Sequence, residues 1–172
     1  MTLRVPADLA KAKWANCGPA AIAAACGLDL ADVKRAVGSG KARRFKGHMG
    51  VHDITRALGE LERPIRSTTS RPGEIETWPR EGIHIGMVQA LGPWDRNPEA
   101  AARRRHLVAV RWSNPYPWKS ANEYAIWRVY DVNWNQWIPG NVWARLLMTP
   151  LCRKLWPEST GWRFSWRGTI KA

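Results

Sequence analysis

The sequence has few cysteines, no long apolar run and a shortage of acidic side chains. Its three cysteines, Cys17, Cys26 and Cys152, are odd in number and form no CxxC pair. This argues against a disulfide scaffold and against a four-ligand zinc site, and favours a reducing compartment. No stretch reaches the ~18–20 apolar residues that a membrane helix needs, so we expect no membrane partner. The first residues lack the apolar run of a secretory signal, so we expect none.

Positive charge and tryptophan are what the sequence has in excess. The 172 residues include 27 Lys and Arg, 14 Asp and Glu and 12 Trp, which gives a net charge of +13. This length suits a single domain over residues 1–172 with its own core. The charge predicts attraction to nucleic acid or to an acidic protein partner. The other interpretation is that it only keeps an arginine-rich chain in solution.

Helical patterns come first along the chain and strand patterns follow. Periodicity and capping residues predict helices over 6–13, Gly18–Cys26, Leu30–Val37, Val51–Leu61 and Trp143–Leu151. Strands are predicted over Ile83–Leu91, His106–Trp112, Tyr124–Asp131 and Gly161–Ile170. In the last strand we expect one face to carry Trp162, Phe164, Trp166 and Ile170. This order indicates a segregated α+β fold rather than an alternating parallel sheet.

Cys17 is the first candidate functional residue, because it lies where a loop meets an apolar helix. Gly18 permits close backbone approach, and Pro19 suits a first helical turn. A thiol at a helix start faces unpaired amides and the positive end of the helix dipole, which lower its pKa. We therefore interpret Cys17 as a nucleophile. The alternative is a structural thiol, which is the interpretation we give to Cys26.

A thiolate nucleophile needs a base, and the base needs an orienting group. His106 opens an apolar strand, and the next strand ends in Asp131 followed by Asn133. If these strands are antiparallel neighbours, Asp131 would lie near His106 and hold its ring. Asn133 is the rival orienting residue, since an amide can replace the carboxylate. The simpler alternatives are a histidine bonded to backbone and an aspartate that accepts turn amides.

Three segments resemble the papain-like cysteine peptidases that process bacteriocin leaders. Asn16-Cys17-Gly18-Pro19-Ala20-Ala21 resembles their nucleophile signature, His106-Leu107-Val108-Ala109-Val110 their histidine strand, and Tyr130-Asp131-Val132-Asn133 the strand end that supplies the third residue. The order Cys, His, Asp is that of the family. The middle of the chain, with Gly92-Pro93-Trp94 and Asn133-Trp134, is similar to small papain-like proteins encoded by tailed phages. The resemblance covers about residues 10–145.

The resemblance implies a papain-like fold, in which N-terminal helices, the nucleophile helix among them, pack on a C-terminal antiparallel sheet. It implies a hydrolase of a peptide or isopeptide bond in a protein or peptide substrate, with Cys17, His106 and Asp131 as catalytic residues and no cofactor. It also implies a bacterial host cytoplasm or a virion as location. The alternative function is a catalytically silent fold, kept as a virion-structural protein or as a nucleic-acid- or partner-binding protein.

The expected oxyanion residue differs from that family. These peptidases usually carry a Gln six residues before the Cys, and here that position is Lys11. Lys11 could donate a charged hydrogen bond to the oxyanion, a backbone amide could serve instead, or the site is silent. These three alternatives stay open at the level of sequence.

Two basic runs and a histidine pair complete the candidate residues. The basic runs contain Arg43, Arg44 and Lys46, and Arg103, Arg104 and Arg105. The second run directly precedes His106, so its arginines would border a catalytic cleft and attract an acidic substrate or partner; otherwise both runs are solvated loops. His48 and His52 are four residues apart, but no Glu lies between them and no third ligand follows, so we expect no metal site. Asp53 is interpreted as a helix-capping carboxylate.

Overall fold

A computed structural model describes residues 17–38, 49–70, 75, 78–79, 82–113 and 126–170. Its first helices are α1 (Cys17–Cys26), α2 (Leu30–Gly38) and α3 (Val51–Glu60). Strands β1 (Ile65–Ser70) and β2 (Ile83–Leu91) follow, then a 3₁₀ turn (Pro93–Arg96) and helix α4 (Pro98–Ala102). After them come strands β3 (Arg105–Ser113), β4 (Ile126–Asp131) and β5 (Gln136–Pro139). The helical segment α5 joins Gly140–Val142, the π-helical Trp143–Met148 and Thr149–Leu155, and strand β6 (Gly161–Ile170) follows it.

The six described strands form one sheet in the order β1-β6-β2-β3-β4-β5. All neighbouring strands in it are antiparallel. The predicted α+β class is therefore confirmed. Strand β6 lies between β1 and β2, so the last strand in sequence is internal in the sheet. No described helix is long and apolar enough to cross a membrane.

Helix α1 packs on the middle of this sheet because its side chains are small. Every residue from Gly18 to Ala25 is buried, most of them alanines. A Cβ atom at Gly18 would lie 2.5 Å from the sulfur of Met49, so a larger residue there would displace the Met49 side chain. Gly27, with φ of 67°, follows the helix in the left-handed conformation. Both the buried helix and its glycine stop were predicted.

The sheet is covered on both faces. The first face packs against helices α1 to α3 through side chains such as Ile85, Met87, Leu107 and Tyr130. The second face is aromatic, and its buried core includes Trp78, Trp94, Trp143 and Phe164. The N-terminal helices thus pack on the sheet as expected, and α4 and α5 add a second layer on the opposite face.

One prediction about β6 is wrong. Trp166 and Ile170 belong to the first core, whereas Phe164 and Trp162 pack in the second. Met87 pairs with Trp166 and Val88 with Phe164, which leaves Ser165 as an extra residue in β6. A bulge of this kind reverses the alternation of side chains, so the two halves of the strand face opposite sides.

Other elements differ from the predictions in extent. Strand β1 was not predicted, because its Arg, Ser and Thr side chains are mostly exposed at an edge of the sheet. The predicted helix over 143–151 is part of the longer segment α5. The predicted helix over 6–13, the loop with Arg43, Arg44 and Lys46, and the first two residues of the predicted strand from Tyr124 lie outside the described residues.

Candidate active site

The structure brings Cys17, His106 and Asp131 together at one end of the sheet. Cys17 is the first residue of α1, His106 the second residue of β3, and Asp131 the last residue of β4. Because β3 and β4 are antiparallel neighbours, the start of one lies beside the end of the other. This is the proximity that the sequence predicted. It depends on α1 packing against β3, which brings the helix start to the same place.

The contact between His106 and Asp131 is short and buried. Nε2 of His106 lies 2.9 Å from Oδ1 of Asp131, and the two side chains are only 2% and 0% exposed. The indole Nε1 of Trp143 donates to Oδ2 of the same carboxylate at 2.8 Å. The backbone amide of Asn133 donates to Oδ1 at 3.0 Å. Asp131 therefore both holds the histidine and accepts a turn amide.

These contacts favour the charged forms of both partners. Burial lowers the pKa of His106, but the charge and hydrogen bond of Asp131 raise it to about 10, with a smaller contribution from Cys17. Burial raises the pKa of Asp131, and the charge and hydrogen bonds of His106, Asn133 and Trp143 hold it below its ordinary value. The pair is therefore an imidazolium and a carboxylate around neutral pH.

Cys17 differs electrostatically from the other two cysteines. Burial raises its pKa, but the hydrogen bond and charge of His106 and the backbone amide of Leu107 bring the pKa below the ordinary value. Burial instead raises the pKa of Cys26 and of Cys152 to about 11. Since Asp131 holds Nε2 of His106, Nδ1 is the ring nitrogen left for proton exchange with Cys17. The arrangement is that of a thiol with a lowered pKa beside an oriented imidazole, which is what a cysteine nucleophile requires.

Asn133, the rival orienting residue, lies farther from the ring. Its Nδ2 is 3.4 Å from Nε2 of His106, and its Oδ1 is buried without a hydrogen-bond partner in the described part of the chain. The opposite orientation of the same amide would place Oδ1 beside the Nε2 proton, where it could share that proton with Asp131. By distance, Asp131 is the main orienting residue, and Asn133 makes a second, weaker contact.

Cys17 is half-buried and opens onto a cleft of about 170 Å³. The described residues that line this cleft are Cys17, Met49, Gly50, Met87, Ala102, Arg105 and Leu107. Of the three consecutive arginines, Arg105 is therefore at the cleft. Arg104 packs over the ring of Trp94 at 4.3 Å and donates to the carbonyl of Ala100 at 2.7 Å. Arg103 is exposed.

Several predicted residues lie outside the site or outside the described residues. Lys11, the expected oxyanion donor, is among the undescribed residues, as is His48. His52 is exposed on α3, and the described residues contain no cluster of three His, Cys, Asp or Glu side chains that could hold a metal. Asp53 accepts the amide of Gly50 at 3.0 Å, which confirms its interpretation as a helix cap.

Two parts of the site were missed by sequence reasoning. Trp143 lies on the opposite face of the sheet from α1, and nothing in its sequence context signals an indole bonded to Asp131. The amide of Leu107 is a backbone group, which only the placement of α1 against β3 brings to Cys17. Comparison of the chain with protein-family models, curated proteins and solved structures found no match.

Proposed function

We propose that this protein is a papain-like cysteine peptidase that hydrolyses a peptide or isopeptide bond through Cys17, His106 and Asp131. One observation carries the proposal. A thiol with a lowered pKa at a helix start adjoins a histidine whose other nitrogen is 2.9 Å from a buried carboxylate, and the thiol opens onto a cleft. Structural cysteines lack this arrangement, as Cys26 and Cys152 illustrate.

The reaction would follow from the protonation states of the pair. The Cys17 thiolate attacks the scissile carbonyl carbon and forms a carbon–sulfur bond, and the carbonyl oxygen becomes an oxyanion. His106 gives its proton to the leaving amine as the carbon–nitrogen bond breaks. It then takes a proton from water, which attacks the thioester and releases the acid and the thiol. Asp131 holds the ring in one orientation throughout.

Backbone amides at the start of α1 are candidate donors for the oxyanion. The first turn of α1 has no acidic side chain that would compensate the positive end of its dipole. We propose that these amides act together with Lys11. One missing oxyanion donor lowers turnover by about 10²–10³, so the contribution of Lys11 decides how fast the enzyme is.

The test is hydrolysis of a degenerate peptide mixture, with new termini read by mass spectrometry. We expect cleavage by the wild-type protein and none by Cys17→Ala, which leaves the fold intact because alanine is smaller and apolar. Cys26→Ala is the matched control, because it removes a thiol from the same helix and should leave cleavage unchanged. Equal cleavage by wild type and Cys17→Ala would contradict the proposal.

The net charge of +13 supports a second candidate function, that of a nucleic-acid- or partner-binding fold such as a virion component. Its test is binding of double-stranded DNA by Cys17→Ala over a range of salt concentrations. If phosphate contacts drive binding, log affinity falls linearly with log salt concentration. Absence of binding even at low salt would remove nucleic acid as the partner.

A further inference from the structure

Among the described residues that line the cleft beside Cys17, Arg105 is the one charged side chain, and none is acidic. The described apolar lining includes the two thioethers of Met49 and Met87 and the aliphatic group of Leu107. At about 170 Å³ the cleft is smaller than the ~300–1,000 Å³ that encloses a drug-sized ligand. It therefore suits one side chain or one short acyl group rather than a whole ligand.

Arg105 is well placed to bind an anion in this cleft. Its side chain is exposed, and it forms no ion pair with any described residue. Arg105 and Leu107 lie on the same face of β3, because alternate residues of a strand share a face, and both line the cleft with Cys17. Arg104, one residue before Arg105, instead packs over the ring of Trp94 and donates to the carbonyl of Ala100.

From these observations we infer that Arg105 selects substrates that carry a carboxylate next to the scissile carbonyl. This inference rests on the proposed function and names its substrate class: acidic peptides or acyl groups. A guanidinium binds a carboxylate through two parallel hydrogen bonds, which a neutral amide cannot match. The flexible methionines accommodate the methylene groups that join the carboxylate to the reacting carbon.

The test compares two alkylating reagents of nearly equal size, iodoacetate and iodoacetamide. With either reagent the Cys17 sulfur forms a bond to the methylene carbon and iodide leaves, so only the charge of the reagent differs. Rates at Cys17 are measured by peptide mapping at pH 7. We expect Arg105→Gln to lower the iodoacetate rate about three- to tenfold, with the iodoacetamide rate changed less than about twofold.

Arg103→Gln is the matched control, since it removes the same charge from an exposed neighbour that does not line the cleft. It should leave the ratio of the two rates near the wild-type value. An unchanged ratio in Arg105→Gln, or an equal fall in both variants, would overturn the inference. Failure of the proposed function would appear differently: both reagents would react slowly, with the pH dependence of an ordinary thiol.

Two further probe pairs identify the source of the carboxylate. Chloromethyl ketones of acetyl-Glu and acetyl-Gln test an acidic side chain on the acyl side. Bromoacetyl-glycine and bromoacetyl-glycinamide test a terminal carboxylate beyond the reacting carbon. For each pair, the rate ratio of the acidic to the neutral reagent is compared between wild type and Arg105→Gln. The pair with the larger decrease in this ratio identifies the source. If Arg105 favours the acidic member of neither pair, the inference is wrong.

Discussion

The two ends of helix α1 carry the same side chain in opposite electrostatic surroundings. Cys17 and Cys26 are both half-buried, and burial raises the pKa of each. At Cys17, His106 and the amide of Leu107 outweigh burial and lower the pKa. At Cys26 the charge of Arg63 does not outweigh burial, and the pKa rises to about 11. Reactivity therefore depends on what other elements bring to a thiol, and neither residue type nor exposure determines it.

The two buried histidines of the sheet, His84 and His106, also differ in the direction of their pKa shifts. His84 is fully buried, and its ring nitrogens lie 3.0 Å from Oγ1 of Thr169 and 3.0 Å from the carbonyl of Pro79. Burial lowers its pKa to about 4, and the charge of Arg167 adds to that effect. His106, equally buried, has a raised pKa because Asp131 is its partner. The carboxylate reverses the direction of the shift.

The largest expected effect comes from His106→Ala, which would make Cys17 resemble Cys26. Without the imidazolium, burial raises the pKa of Cys17 as it does at Cys26, so a much smaller fraction of the thiol is ionised at pH 6. We expect the iodoacetamide rate at pH 6 to fall about 100-fold. Peptide mapping measures it, with Cys26 as internal reference. Equal Cys17 rates in both proteins would show that His106 does not activate the thiol.

A smaller effect is expected from Asp131→Asn, which keeps the shape and removes the charge. The pKa of His106 should fall toward its ordinary value. At alkaline pH the ring would then be neutral and would no longer stabilise a thiolate at Cys17. We expect the Cys17 alkylation rate at pH 8 to fall about tenfold.

Asn133→Ala is the matched comparison for the orienting role. Because Asn133 lies farther from Nε2 than Asp131 does, we expect a loss of less than about threefold in the same assay. A greater loss in Asn133→Ala than in Asp131→Asn would make the amide, rather than the carboxylate, the main orienting group.

Trp143→Phe tests the hydrogen bond that the Trp143 indole donates to Asp131 from the aromatic face of the sheet. The substitution keeps a buried ring and removes the indole proton from Oδ2. We expect a loss of about 1–3 kcal/mol in the free energy of unfolding and a fall of a few-fold in Cys17 alkylation. Urea unfolding and peptide mapping measure the two effects.

Trp137→Phe is the control, because its indole nitrogen is buried without a hydrogen-bond partner in the described part of the chain. It should leave both measurements close to wild type. If the two variants behave alike, the bond between Trp143 and Asp131 does not position the carboxylate.

The smallest effect on Cys17 is expected from His84→Gln, which should change the pH dependence of stability instead. The pKa of His84 is ~6.5 in the unfolded chain and about 4 in the fold. Neutral His84 therefore stabilises the fold at pH values above ~6.5, and this contribution is lost as pH falls toward 4. It amounts to roughly 3 kcal/mol, since one pKa unit corresponds to about 1.4 kcal/mol. His106, with a raised pKa, has the opposite sign, and its contribution is lost as pH rises from ~6.5 toward 10.

Urea unfolding of wild type and His84→Gln at pH 4.5, 6.5 and 9 measures this difference. The variant should lose less stability between pH 6.5 and 4.5 and keep the wild-type loss between 6.5 and 9. If His84→Gln loses as much stability as the wild type between pH 6.5 and 4.5, the acid sensitivity belongs to other groups, such as Asp131.

Local patterns in the sequence predicted much of the fold. The alanine-rich helix with its glycine stop, the helix over Leu30–Gly38 and the strand over Ile83–Leu91 all have strong periodicity or strong end signals. Strand β1 was missed because its side chains are mostly polar and its strand partner is β6, about a hundred residues away in sequence. The bulge at Ser165 was missed because it is defined by the register against β2, which no local pattern contains.

The candidate site was predicted in part for the same reason. Cys17, His106 and Asp131 each lie at the end of an element with a clear pattern, and antiparallel pairing of consecutive strands is common enough to predict their approach. The cleft-lining Met49 and Met87 and the donor Trp143 come from elements far apart in sequence. Their positions follow from packing on the two faces of the sheet.

What the sequence alone determined about Cys17 is its place at the start of a buried helix, with a histidine and an aspartate at the ends of later strands. Residue type and periodicity suffice for that, since both act over a few residues. The helix start also predicted a lowered pKa, but only the tertiary structure supplied the groups that lower it, His106 and the amide of Leu107, and the cleft with Arg105. Both depend on contacts that long-range packing of α1 against β3 creates, and burial alone would have raised the pKa, as it does at Cys26.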